Sequence, residues 1–149
     1  MTTRADVVRV ARSYLLTRWH HMGRLPSVGL DCAGVPVCIA RELGLVAPDF
    51  DTPAYTKAPD GHSMIEWADK YMGPRVTAES MKPGHMLVAR IEIDPQHIGI
   101  IGDYLHGGLS LIHAASRSDG TGCVVETRLV FTPRLRFVAA YQFPGVDDG

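Results

Sequence analysis

Hydrophobic and polar positions change period once along the chain. From about residue 4 to 16, Val7, Val8, Ala11, Tyr14 and Leu15 recur on one helical face, and Thr3 with Asp6 has a capping-box pattern. A second helix is predicted from about Cys32 to Leu43, with Gly44 as its C′ residue and Pro48 soon after. Pro36 belongs in its first turn, where a missing N–H removes no helical hydrogen bond. HSMIEWADKYM, residues 62–72, reads as a third helix ended by Gly73 and Pro74. WHHMGRLPSVGL and PDFDTPAYTKAPDG, rich in Gly, Pro and Asp, read as the loops between them.

After Lys82-Pro83-Gly84 the period shortens. MLVARI, HIGIIG, LSLIHAA, CVVETRLV and RFVAAYQF are short apolar or alternating runs separated by Gly, Pro and Asp, which makes about five strands. Helices first and an antiparallel sheet second is an α+β layout rather than alternating βαβ. The sheet is expected to place one face against the helices. The tail, Val146 to Gly149, is expected to fray.

Composition narrows the function classes. The 149 residues are enough for one domain, read as 1–149. With 46% hydrophobic and 21% charged residues, a disordered chain or a coiled coil is excluded. A net charge of −1 gives no bulk attraction to nucleic acid or an anionic membrane. No apolar run approaches the roughly 20 residues of a membrane span, so no membrane insertion is expected. The N-terminus mixes charge with apolar residues and is unlike a secretory signal, so synthesis is expected in the cytoplasm. Cys32, Cys38 and Cys123 are too few for a disulfide framework, and neither CxxC nor HExxH occurs. A structural or protease-type zinc site therefore has no sequence support.

Three segments carry possible chemistry. Cys32, in Asp31-Cys32-Ala33-Gly34, falls at a helix start, where the helix N-terminus favours a thiolate. A buried structural cysteine is the plainer explanation. His97 opens an apolar strand and is placed to take a thiol proton and return it to a leaving amine. His113 lies on the next strand and, in an antiparallel hairpin, can orient the His97 imidazole. Satisfied strand histidines explain both equally simply. Cys38, about 240° of helical rotation from Cys32, and Cys123 read as packing, as does Trp67. His20 and His21 read as loop residues, since adjacent positions share no face. Asp31 can cap the Cys32 helix or raise the thiol pKa, and both readings stand.

The order of these segments resembles the NlpC family of papain-like cysteine peptidases, which cleave bacterial cell-wall peptides. LDCAG stands for the usual DCSG, HIGIIGD for the HVGIYLG type, and LIHAA for the strand bearing the third residue. KPGHMLVARI resembles the family's PGD-hydrophobic strand, with His85 where Asp is usual. TRWHHMGR and RFVAAYQFPG resemble stretches of the phage-tail and gene-transfer-agent members. The resemblance covers roughly residues 4 to 144 and implies the papain-like NlpC fold. It further implies Cys32 as nucleophile, His97 as base and His113 as third residue. The Cys32 amide is then one oxyanion donor, and a second comes from Trp19, His20 or His21. The implied reaction hydrolyses a peptide bond of the peptidoglycan stem, of the γ-D-glutamyl–diamino acid type, without a cofactor. The implied setting is a virion tail acting in the periplasm or cell wall, with tail or tail-tip proteins as further partners. The alternative is a tail-tip structural module with little hydrolytic activity.

Overall fold

A computed structural model describes residues 1–55, 60–91, 94–117 and 119–149, with the backbone alone described for 94–96. The loop expected over 48–61 therefore lies partly outside the described residues.

Helix α1, Arg4–Ser13, starts at the expected capping box: Asp6 N–H donates to the Thr3 hydroxyl, and Thr3 N–H to the Asp6 carboxylate. It ends three residues before the predicted 16. Leu16 takes a positive φ of 71° and donates its N–H to Val124 O at 2.8 Å, so pairing with the sheet wins over another helical turn. Leu15, expected on the buried face, is consequently exposed.

The 19–30 loop contains a short ladder, β1 (Arg24–Leu25) against β2 (Gly29–Leu30). Helix α2, Gly34–Glu42, starts two residues after Cys32 and buries all of 34–40. Pro36 lies in its first turn, and Gly44 stops it at φ 68°. Helix α3 is Ser63–Tyr71 and buries Trp67 and Ala68.

Strands β3 (Arg75–Val76), β4 (Met86–Ile91), β5 (Asp94–Asp103), β6 (Leu109–Ser116), β7 (Gly122–Arg128) and β8 (Leu135–Tyr141) form one antiparallel sheet. Their order is β3-β8-β4-β5-β6-β7. The five predicted strands are β4 to β8. Two-residue elements such as β3 are too short to leave a period in the sequence.

Alternation along the strands separates two apolar clusters. Met86, Val88, Ile98, Ile100, Ile112, Ala114 and Val124 face α1, α2 and α3 and form the main core. Leu87, Ala89, Ile101, Leu111 and Ala140 form a second cluster, packed with Met81, Leu129 and Leu135. One face packs against the helices as expected, and the second face also carries apolar packing.

The tail is docked, contrary to the expected fraying. Asp147 N–H donates to Thr2 O at 3.0 Å, and Arg4 N–H to the Asp148 carboxylate at 2.8 Å. His85, 1% exposed, accepts from Lys82 N–H at 3.1 Å and donates Nε2–H to Gly149 O at 2.8 Å.

One extension of the sheet positions the site. Beyond β7, Leu16 N–H donates to Val124 O, Val124 N–H to Thr17 O and Trp19 N–H to Gly122 O. Leu30 N–H then donates to Arg18 O at 3.0 Å, and His20 N–H to Leu30 O at 3.1 Å. A continuous backbone ladder thus runs from β6 through β7 and residues 16–19 to Leu30, two residues before Cys32.

Candidate active site

The site is built around a buried carboxylate. Asp31 is 3% exposed. Its Oδ1 accepts from Gly34 N–H at 2.9 Å and from Arg24 Nη1 at 2.9 Å. Its Oδ2 accepts from Met22 N–H at 2.7 Å and from the Tyr55 hydroxyl. The Gly34 bond is a side-chain cap on α2, supplied by a residue three positions ahead. Ala33, the formal N-cap, has no side chain that can do this. Four donors leave this buried charge well satisfied.

Cys32 lies between the capping Asp31 and Ala33, whose backbone is already helical (φ −77°, ψ −27°). Its side chain is half-buried and packs at the margin of the main core. The N-terminal peptide dipoles of α2 favour negative charge at such a position. The other cysteines sit differently. Cys38 is buried, its Sγ donates to Arg24 O at 3.3 Å, and burial pushes its thiol pKa up. Cys123 is half-buried on β7, opposite Ala115 of β6.

His97 stands on β5 opposite Ala89, and His113 on β6 opposite Val125. Their strands are joined by the 104–108 turn, where Gly107 and Gly108 take φ 94° and 80°. That turn accommodates the sixteen positions between the two histidines. They are diagonal neighbours across the hairpin, close enough for His97 Nε2 and His113 Nδ1 to hydrogen-bond at 2.7 Å. The rings meet edge-on with centroids 4.8 Å apart. His97 is 9% exposed, and burial, then the neighbouring His113, pulls its pKa well down. Burial also lowers the pKa of His113. Both rings are therefore neutral at neutral pH, so one donates and the other accepts. Helix α2 packs against β5, the strand that carries His97.

The 19–21 segment lies on the sheet extension. The backbone N–H groups of Trp19 and His20 are spent on Gly122 O and Leu30 O. Trp19 packs on the main core, and His20 is exposed. His21 is half-buried, its ring edge-on to Tyr55 at 5.5 Å. Arg24 and Tyr55, which complete the Asp31 cluster, were not singled out as site residues by sequence reasoning. The available signal was a lone arginine shortly before a DC pair. Among the described residues, no group of three or more His, Cys, Asp or Glu side chains is arranged to hold a metal ion. Among the described residues, no helix is long and apolar enough to cross a membrane.

No family model and no curated protein matches the chain. Among solved structures it is similar to the NlpC/p60 domain of the peptidoglycan hydrolase SagA. The TM-score is 0.61 and the identity 19%, over 95% of this chain and 100% of that one. It is also similar to NlpC2 from Trichomonas vaginalis, with a TM-score of 0.64 and 14% identity, over 96% of this chain and 47% of that one. Helices first, then a six-stranded antiparallel sheet whose edge is extended toward the start of α2, is the α+β NlpC/p60 fold.

Proposed function

We propose that the protein is a cysteine peptidase that hydrolyses peptide bonds in the peptidoglycan stem. The observation that carries this reading is the hydrogen-bonded His97–His113 pair in the fold that presents Cys32 at the start of α2. A protein held together only by packing needs no buried imidazole pair joined in this way.

The chemistry follows from which nitrogen is engaged. In the tautomer in which His97 Nε2–H donates to His113 Nδ1, the Nδ1 of His97 is the basic atom. It removes the Cys32 thiol proton as sulfur attacks the scissile carbonyl. The oxyanion is received by the Cys32 backbone N–H and, with the Trp19 and His20 amides committed elsewhere, by His21. The His97 imidazolium then protonates the leaving amine, and Cys32 is left acylated. Water, deprotonated by His97, releases the acid and restores the thiol. His113 holds the imidazole plane throughout and must stay neutral to accept from Nε2–H.

The finer reading is a γ-D-glutamyl–diamino acid bond, cleaved by a tail-borne enzyme acting in the periplasm or wall beside other tail proteins. The bond type rests on the resemblance of LDCAG, HIGIIGD and LIHAA to the family, and the tail setting on that of TRWHHMGR and RFVAAYQFPG to the phage-tail and gene-transfer-agent stretches. Incubating the protein and Cys32→Ala with defined stem peptides, with products read by mass spectrometry, tests both levels. New fragments from the unsubstituted protein alone are expected, and their masses identify the bond. No cleavage of any stem peptide, with Cys32 unreactive toward iodoacetamide, favours the structural tail module instead.

A further inference from the structure

Asp31 places a buried carboxylate one residue before the proposed nucleophile, and a negative charge near a thiol disfavours its thiolate. The same carboxylate caps α2, so the fold needs it. Arg24 addresses both demands. Its Nη1 meets Asp31 Oδ1 at 2.9 Å, with the two side chains 12% and 4% exposed. Its Nε meets Asp51 Oδ1 at 2.9 Å, and its Nη2 meets the Tyr55 hydroxyl at 3.0 Å. Tyr55 in turn donates to Asp31 Oδ2, and burial followed by that bond keeps its phenol protonated. Asp51 is also held by Arg41, at 3.3 Å.

We propose that Arg24 is a positioning residue that cancels the Asp31 charge, so that Asp31 caps α2 without opposing the Cys32 thiolate. Through Asp51 and Tyr55 it also binds the 51–55 segment to the flank of the site. The proposal rests on reading Cys32 as the nucleophile. Among the described residues, the charged and titratable groups of this cluster are Asp31, Arg24, Tyr55 and Asp51, with Arg41 reaching Asp51 from the last turn of α2; His20 and His21 lie on the adjoining loop, and His97 and His113 on the sheet. Of these, Arg24 is the cation bonded to Asp31. It precedes Cys32 by eight positions, and only the β1–β2 ladder returns it to the helix start.

The test is the pH dependence of Cys32 alkylation by iodoacetamide, with peptide mapping so that Cys38 and Cys123 are counted separately. Arg24→Gln is expected to raise the midpoint by about one pH unit, a roughly tenfold loss of reactivity below it. Adding Asp31→Asn to Arg24→Gln is expected to return the midpoint close to its original value. Arg24→Lys, which keeps the charge but not the fork, is expected to leave it in place. An unmoved midpoint in Arg24→Gln, or a double variant that stays with the single one, overturns the proposal. If Arg24→Gln does not fold, Asp31→Asn alone is decisive: with Arg24 retained its midpoint must fall, and an unmoved midpoint overturns the proposal. No substrate is used, so the outcome is separate from the peptidase reading. Absent stem-peptide cleavage with the expected midpoint shifts leaves the Arg24 role intact and points to a missing activator or a different substrate.

Discussion

Two buried histidine sites in this chain have different kinds of partner. His85 is 1% exposed and His97 is 9% exposed, and burial pulls the pKa of both below the ordinary value. At His85 both ring nitrogens are bonded to backbone, at Lys82 N–H and Gly149 O, so the ring joins the tail to the start of β4. At His97 one nitrogen meets another imidazole, and the ring lies on a strand packed against the helix that follows Cys32. Burial and a lowered pKa therefore do not distinguish a base from a tether. The kind of partner is what differs between the two.

The largest expected effect separates the two sites by activity. His97→Ala and Cys32→Ala each lower stem-peptide cleavage by about 10³-fold or more. His85→Phe leaves kcat within about twofold while lowering Tm, since the ring touches none of the reacting groups. Activity loss in His85→Phe at a temperature where it is folded breaks the comparison. Next is Asp31→Ala, which strands the Arg24 guanidinium and uncaps α2. Losing one partner of a buried ion pair costs about 3–5 kcal/mol, read by urea unfolding.

The third effect tests the orienting bond. His113→Asn offers an acceptor oxygen in place of Nδ1 and is expected to keep kcat within about tenfold. His113→Ala is expected to lose about 10²-fold. Equal rates in the two variants remove the orienting role.

The fourth is a pH effect with its sign fixed by linkage. The folded-state pKa values of His85, His97 and His113 lie below the unfolded value of about 6.5. At acid pH the unfolded chain binds more protons, so stability is full above about 6.5 and declines as pH falls below it. Unfolding melts between pH 8 and 5 check this, and His85→Phe is expected to flatten the decline. Activity is expected to persist below pH 6.5, since burial holds the His97 pKa well below that value. The smallest effect is Thr3→Ala, which removes one half of the capping box for about 1 kcal/mol.

The comparison also shows where local pattern ends. Period and stop residues placed α2 and α3 to within two residues, because capping, Gly and Pro act over one turn. Strands β4 to β8 follow from alternation, and β4 was delimited at Met86 and Ile91. The His97–His113 pairing was legible as well, since neighbouring strands in a hairpin constrain each other. Asp31 was legible as a cap but not as the receiver of four donors. Met22, Arg24, Gly34 and Tyr55 come from a loop, a two-residue strand, a helix start and a distant segment.

What the sequence determined by itself, then, is local: the helix-then-sheet order, the stops, and the types of residue available for chemistry. Short-range sterics and hydrogen bonding decide these. Tertiary structure alone decided that α1 stops early to let Leu16 join β7, and that the tail docks on His85. It also decided that the second sheet face is packed and that Arg24 returns to Asp31. Each of these joins backbone or charged groups far apart in the chain. Such groups find partners only once the core has fixed where the segments lie, so no periodicity or spacing announces them.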